Sequence, residues 1–337
     1  MHVGLVGVGA WGQNHARTWG RMLAAGEIDG LSICDVDRAR AQALADEVGG
    51  TAVFEVRALL DDPTVDAVDL CTPTPTHHAL ASQAMEAGKD VLVEKPLAGT
   101  PKEANDLVAI AKARGRVLLC GHLFRYHPGI EAARAMIARH ELGSIRYFLS
   151  SRQAFRAPRA DMGVLEALGV HDVDLFCWLL GVDYPRSLHA SIGAWNGAGV
   201  DEVAMLSMDF GGGAKAWAWQ SWLSPGAAGK ERKLTIVGER ATVEIDYLRL
   251  DAVRVTPATI ARKGDDLVAD AGATREVRTA GHEPLMAELR DFVRCVRERA
   301  PPRADADAAA RAVVMIEAAL ESARTQRPVT FPGPPGA

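Results

Sequence analysis

No apolar run in the chain approaches the roughly 20 residues that would span a bilayer, so no membrane partner is expected. Cysteine is scarce. Cys34, Cys71, Cys120, Cys177 and Cys295 are scattered, and no two form a C-x-x-C pair. Several sit in apolar strand or helix patterns, where a free thiol behaves as a small hydrophobe. Reduced cysteines without a disulfide framework fit a cytoplasmic protein, and a first strand beginning at His2 leaves no room for a secretory signal. Positive charge is not in excess either. The 38 Lys and Arg are outnumbered by 43 Asp and Glu, a formal net charge of −5, so the chain-wide basic footprint of a nucleic-acid binder is absent. There is no internal repeat and no extended low-complexity tract. His77, His78, His122, His127 and His171 do not form a metal-binding set, and no metal is expected.

What is present is a regular alternation of short apolar strands and helices. At 337 residues the chain is long enough for two domains, each with a substantial core. His2–Val6 reads as a strand, and Gly7-Val8-Gly9-Ala10-Trp11-Gly12 follows it directly, with helical spacing from Asn14 to Ala25. This is G-x-G-x-x-G at a strand-to-helix junction. Gly7 allows the tight turn, Gly9 lets a pyrophosphate approach the backbone, and Gly12 lets helix and strand pack closely. The helix N-terminus supplies free N–H groups and a positive dipole end for the phosphates. The next strand, Leu31–Cys34, ends in Asp35, placed to accept hydrogen bonds from the adenosine ribose and to repel a 2′-phosphate. NAD is therefore favoured, with NADP the alternative because Arg38 and Arg40 lie just downstream.

Helices are expected over Arg38–Val48, His77–Ala87 and Pro101–Arg114, a helical turn over Glu55–Leu60, and strands over Ala52–Phe54, Ala67–Cys71 and Val117–Cys120. Between the last two helices, Val91-Leu92-Val93 reads as a short buried strand, followed at once by Glu94, Lys95 and Pro96. The alternation implies an α/β Rossmann domain, a doubly wound parallel sheet over 1–121. The loops Thr72–Thr76 and Glu94–Pro96, beyond strand carboxyl ends, should converge on the dinucleotide.

The pattern changes after Gly121. A polar–aromatic crossover runs to Pro128, then a helix over Gly129–Glu141, a strand over Ile145–Phe155, a charged loop over Arg156–Asp161 and an apolar helix over Gly163–Leu180. Strand signals fill Pro185–Val255. Val203–Phe210 and Ala214–Trp222 flank Gly211-Gly212-Gly213 as a hairpin, and Trp217, Trp219 and Gln220 leave the buried face undecided. Lys233–Val237 and Thr242–Asp246 flank another turn. Residues 258–274 read as an exposed loop or irregular strand, and two helices, Glu283–Arg299 and Ala304–Thr325, close the chain. Residues 122–331 are therefore expected to form an α+β domain with an open, mostly antiparallel sheet, followed by a frayed tail over 332–337.

Taken together, these stretches resemble the Gfo/Idh/MocA family of oxidoreductases. The likeness is carried by the Gly7–Gly12 fingerprint, Thr72-Pro73 with His77, Ala87–Pro96 with its Glu94-Lys95-Pro96, Gly121-His122 with Arg125 and Pro128, and Gly169–Leu175. The resemblance implies a nicotinamide enzyme acting on sugars, nucleotide sugars or cyclitols, and a homo-oligomer, dimer or tetramer. Gly7, Gly9, Ala10, Trp11, Gly12, Asp35, Thr72, Pro73, His77, Glu94, Lys95 and Pro96 would bind cofactor. Lys95, His122, Arg125, Tyr126, Glu166 and His171 would meet substrate. Lys95 would stabilise developing alkoxide, and His171 would exchange the hydroxyl proton.

One departure stands out. Many members carry an aspartate four residues before the histidine, and here that position is Ala167, with Glu166 beside it. On an α-helix Glu166 is rotated by about 100° from Ala167 and is not a direct replacement. Ser221–Pro225 with Lys230 and Arg232 resembles the branch acting on nucleotide-linked or amino sugars, and the two bases are able to meet a phosphate. Two other readings stay open: a redox-neutral enzyme with tightly held NAD, and a non-catalytic cofactor- or sugar-sensing protein.

Overall fold

The structure is a computed structural model that describes residues 1–159, 162–225 and 229–332. The end of the expected charged loop (160–161) and the tail beyond 332 lie outside the described residues. The chain divides into two compact units. One comprises Met1–Leu123 and Pro284–Val313, and the other comprises Phe124–Glu283 and the chain from Val314 onward.

In the first unit, β1 (His2–Val6), α1 (Gly12–Ala24), β2 (Gly30–Cys34), α2 (Arg38–Val48), β3 (Thr51–Val53), α3 (Val56–Asp61) and β4 (Ala67–Leu70) are followed by α4 (His77–Glu86), β5 (Asp90–Val93), α5 (Pro101–Arg114) and β6 (Leu118–Cys120). All six strands are parallel, in the order β3-β2-β1-β4-β5-β6. Every residue of β4 and β5 is buried, as expected of strands covered on both faces. Helix α5 begins where Thr100 and Glu103 form a capping box with Pro101 just inside, a start signal readable in the sequence. The order reverses between β1 and β4, so the crevice for a ligand opens beyond their carboxyl ends. The doubly wound sheet expected from the alternation is present.

The second unit holds α6 (Pro128–Ala138), β7 (Ile145–Ala154), α7 (Val170–Leu180), β8 (Ser187–Gly193), β9 (Val203–Asp209), β10 (Lys215–Ser221), β11 (Lys230–Gly238), β12 (Ala241–Asp246), β13 (Ala252–Lys263), β14 (Asp266–Ala271) and β15 (Arg275–Arg278). Helix α8 (Pro284–Glu298) belongs to the first unit, the division falls within α9 (Ala306–Thr325), and β16 (Val329–Thr330) returns to the second. Its sheet runs β14-β13-β12-β11-β7-β10-β9-β8-β16, with β15 also on β13. Only β7 and β10 pair in parallel, which makes the sheet mostly antiparallel.

Two open local readings are decided and one expectation is revised. Of the two readings of residues 258–274, the exposed strand holds: β13 continues to Lys263 and pairs with β14 as an exposed ribbon. The helix expected over Gly163–Leu180 is interrupted, because Leu165–Gly169 is a π-turn and only Val170–Leu180 is α-helical. On β10 the bulky residues face out and the small ones in. Ala216, Ala218 and Gln220 are buried, whereas Trp217 and Trp219 are 41% and 47% exposed. The inner face of β7 packs against α7, with Phe148 stacked on Phe176 at 5.2 Å.

By contact, part of the closing helices joins the first unit, which takes in Pro284–Val313. In the first unit Arg290 pairs with Glu27, Arg299 with Asp90, and the Cys120 amide donates to the Ala304 carbonyl. An amphipathic stripe states that a helix packs, not on what.

Candidate active site

The cofactor end is built from three loops, after β1, β4 and β5. Gly7 has φ +90°, and a Cβ there would lie 2.8 Å from the Cys71 carbonyl oxygen, so only glycine fits the turn. A Cβ on Gly12 would collide with the Gly7 carbonyl oxygen, whereas one on Gly9 would meet nothing within 4 Å. The protein thus keeps the space over Gly9 open where a pyrophosphate would approach, and fills the space over Gly12 itself. The residues fit a dinucleotide.

Asp35, at the end of β2, is buried. Its carboxylate accepts hydrogen bonds from the Val8 amide at 2.7 Å and the Asp37 amide at 2.8 Å. That fixes it against the glycine turn with lone pairs to spare for ribose hydroxyls. Both arginines that might have met a 2′-phosphate are engaged: Arg38 pairs with Glu55 and lies over Phe54, and Arg40 pairs with Asp37. His77 ties two loops together, one ring nitrogen 2.8 Å from the Thr72 carbonyl oxygen and the other 2.9 Å from that of Pro96. A neutral ring can donate to one of them and an imidazolium to both. The Lys95–Pro96 peptide is cis.

Glu94 is turned inward. Oε1 accepts from the Trp11 indole at 2.7 Å and lies 3.1 Å from His15 Nε2, and Oε2 accepts from the Lys95 amide. Gly121 leaves room for it, since a Cβ there would come within 2.8 Å of Oε1. Burial opposes the charge of Glu94, yet His15, Lys95 and the Trp11 indole hold it below the usual carboxylate range. His15 Nδ1 is in turn 2.8 Å from Asp69, which also accepts from Trp19. Burial alone would depress His15, but Asp69 keeps it well above its ordinary 6.5. Glu288 of α8, fully buried, has no hydrogen-bond partner on either oxygen among the described residues. Burial, then repulsion from Glu94, drives it well above 4.5.

His15, Asp69 and Glu288 escaped the sequence reading. The signal for Asp69 was an acid inside an otherwise apolar strand; Glu288 left no signal, because α8 is far away in sequence. His15, Asp69 and Cys71 each offer one donor atom within 4.8 Å of one another. Asp69 already serves His15 and Trp19, and burial followed by Asp69 pushes the Cys71 thiol up, so the cluster is a hydrogen-bonded knot.

In the second unit, His171 stands in the first turn of α7, 8% exposed, with its ring edge-on to Phe124 at 4.8 Å. Glu166 lies in the π-turn before it, accepting from the Gly163 amide at 3.3 Å. Closure i→i+5 across that segment breaks the 100° step on which Glu166 was set aside, and brings it nearer one full turn before His171. Ala167 is buried. Arg125 and Tyr126, expected to meet substrate, are both buried. Arg125 donates to Asp174 in a buried ion pair (Nε to Oδ2, 2.9 Å) and stacks on Trp178, and Tyr126 is fully buried. His122, in the first unit, is 1% exposed. Asp172, adjacent to His171, accepts from Ser150, Arg152 and Gln220 within 2.8 Å.

With this geometry established, similarity to known proteins becomes informative. The family model described as "Oxidoreductase family, NAD-binding Rossmann fold" matches residues 1–122, and its "C-terminal alpha/beta domain" counterpart matches 134–331. The chain belongs to the Gfo/Idh/MocA oxidoreductase family. Among Gfo/Idh/MocA relatives, the UDP-N-acetylglucosamine 3-dehydrogenase of Acidithiobacillus ferrooxidans is 30% identical over 96% of this chain and 98% of its own. The scyllo-inositol 2-dehydrogenase (NAD(+)) of Bacillus subtilis is 29% identical over 96% and 94%. A levoglucosan dehydrogenase structure superposes with a TM-score of 0.86, covering 99% of this chain and 100% of that one at 21% identity, a likeness of fold. The Rossmann unit is NAD-binding, and the chain is an oxidoreductase. Among the described residues no helix is long and apolar enough to cross a membrane.

Proposed function

We propose that this protein is an NAD-dependent dehydrogenase acting on a CH–OH group of a sugar, nucleotide sugar or cyclitol. The nicotinamide, when bound, supplies the hydride acceptor or donor at C4. The chain supplies position and charge. Lys95, at the carboxyl end of β5, places an ammonium against the reacting oxygen and lowers the energy of developing alkoxide. His171 exchanges the hydroxyl proton. Glu94, tied to Trp11 and His15, fixes the backbone from which Lys95 projects.

The observation that carries the reading is the placement of Glu94-Lys95-Pro96 beside the glycine turn, at the end of a strand next to the switch point of the sheet. The relatives' names are those of dehydrogenases, which favours neither the redox-neutral nor the sensing alternative. The engaged Arg38 and Arg40 support NAD over NADP. A homo-oligomer is part of this reading. The outer face of the second sheet exposes Leu149, Met205, Trp217 and Trp219, adjacent in register, a patch suited to a second copy.

The test is turnover of sugars, nucleotide sugars and inositols with NAD and NADP, followed by absorbance of the reduced cofactor. Lys95→Ala is expected to lower kcat by about 100-fold or more while NAD affinity stays within about threefold. Normal turnover by Lys95→Ala on the best substrate would overturn the mechanism.

A further inference from the structure

One face of the second sheet carries more positive charge than its acids can answer. Arg152 on β7, Gln220 on β10 and Arg232 on β11 lie in register across three strands, and Lys230, opposite Ala154, shares their face. Two arginines directly opposite one another repel. Among the described residues a single buried carboxylate, Asp172, serves this row. It accepts from Arg152 Nε, Ser150 and Gln220, which leaves it no strong bond for Arg232. Arg152 is fully buried, its guanidinium carbon 4.3 Å from the Phe124 ring centroid and 4.6 Å from that of Tyr247, whose side chain also acts on its charge. Yet Nη1 and Nη2 of Arg152 and Nη1 of Arg232 are buried with no acceptor among the described residues. Buried charged donors are rarely left so. Burial, then the Arg152 charge, pulls Arg232 down to about 10, and burial with Arg232 lowers Lys230. Exposed Arg156 adds a fourth cation. The row adjoins the proposed proton-exchanging residue, because Phe124 contacts both Arg152 and His171.

We propose that the substrate carries an anionic group, a carboxylate or a phosphate, that seats on the guanidinium edges of Arg152 and Arg232 beside His171. The inference rests on the dehydrogenase reading for what His171 does, but the anion subsite stands on its own geometry. A planar guanidinium pair matches either anion with paired N–H···O bonds. Lys230 and Arg156 supply the attracting charge at its mouth. A neutral cyclitol would offer the three donors only uncharged hydroxyl oxygens, without the charge-assisted bonds an anion makes.

Calorimetric titration of the NADH-saturated protein with glucose, glucuronate, glucose 1-phosphate and UDP-glucose separates the cases without requiring turnover. At least one anionic probe is expected to bind about tenfold or more tighter than glucose, and the arm that does so identifies the carboxylate or phosphate source. Arg232→Gln should weaken that probe by about 10- to 100-fold, and Arg232→Lys should weaken it less. Lys233→Gln, which pairs with Glu231, should leave it unchanged. No preference for any anionic probe over glucose would overturn the proposal, as would an equal loss for both classes in Arg232→Gln. A protein that binds an anionic probe in an Arg232-dependent way but oxidises no carbinol would uphold the subsite and overturn the dehydrogenase reading instead.

Discussion

Gly9 and Gly12 stand three residues apart and have opposite physical reasons to be glycine. A methyl on Gly9 points into space the protein leaves open; one on Gly12 meets the Gly7 carbonyl oxygen. Gly9→Ala is therefore expected to keep Tm within about 2 °C of the parent while raising the Kd for NAD at least about tenfold, because the methyl takes up room needed by the pyrophosphate. Gly12→Ala forces backbone apart, which costs about 1–3 kcal/mol, and should lower Tm by about 2–10 °C. Scanning calorimetry and NAD titration of both variants check the pair, and unaltered NAD affinity in Gly9→Ala would remove that residue from the cofactor site. These roles were legible in the sequence because each glycine answers a constraint set within six residues of chain. The partner of Arg125 was not: its pairing with Asp174 is made by the fold and invisible in local spacing.

Among the elements, α8 brings the least foreseeable group, Glu288, a buried acid near His15 with no hydrogen-bond partner among the described residues. Folded Glu288 keeps its proton above the pH where an unfolded glutamate, near 4.5, has lost it. Folded His15 does the same above 6.5. The native chain therefore binds more protons than the unfolded one, and stability falls as pH rises. Both contributions are complete below the unfolded values and are lost as pH climbs through the raised folded ones. Glu288→Gln removes the first of them. Its Tm should match the parent near pH 5 and exceed it increasingly towards pH 8.5, and parallel Tm curves for the two proteins would sink this account. The strands of the second unit show why pattern alone stopped short. On β10 the alternation is real, but its small residues are the buried set, because α7 packs close on that side of the sheet. Hydrophobicity points the other way, to Trp217 and Trp219. The π-turn before His171 was equally hidden, since Leu165–Gly169 keeps the apolar spacing of an ordinary helix.

For the molecule as a whole, those outward tryptophans become the informative feature. Leu149, Met205, Trp217 and Trp219 are each about half exposed on neighbouring strands, more contiguous apolar surface than scattered side chains would leave. Trp219→Glu should bring the sedimentation mass from that of a dimer or tetramer towards the 36.0 kDa of one chain. A parent protein that already sediments as one chain would remove the interface. At this scale the sequence conveyed the two kinds of sheet, because strand–helix alternation and hairpin punctuation are written along the chain. It did not convey how the chain is shared between its compact units.

That sharing bears on how the protein is made. The first unit draws Pro284–Val313 from beyond the whole of Phe124–Glu283. A ribosome has therefore synthesised nearly the entire second unit before α8 emerges to meet α1 and pair Arg290 with Glu27. The usual order, in which the amino-terminal domain completes first during synthesis, is not open to this chain. Stalled nascent chains ending before Pro284 should remain protease-sensitive across Met1–Leu123, and protection should appear only once Val313 has cleared the exit tunnel.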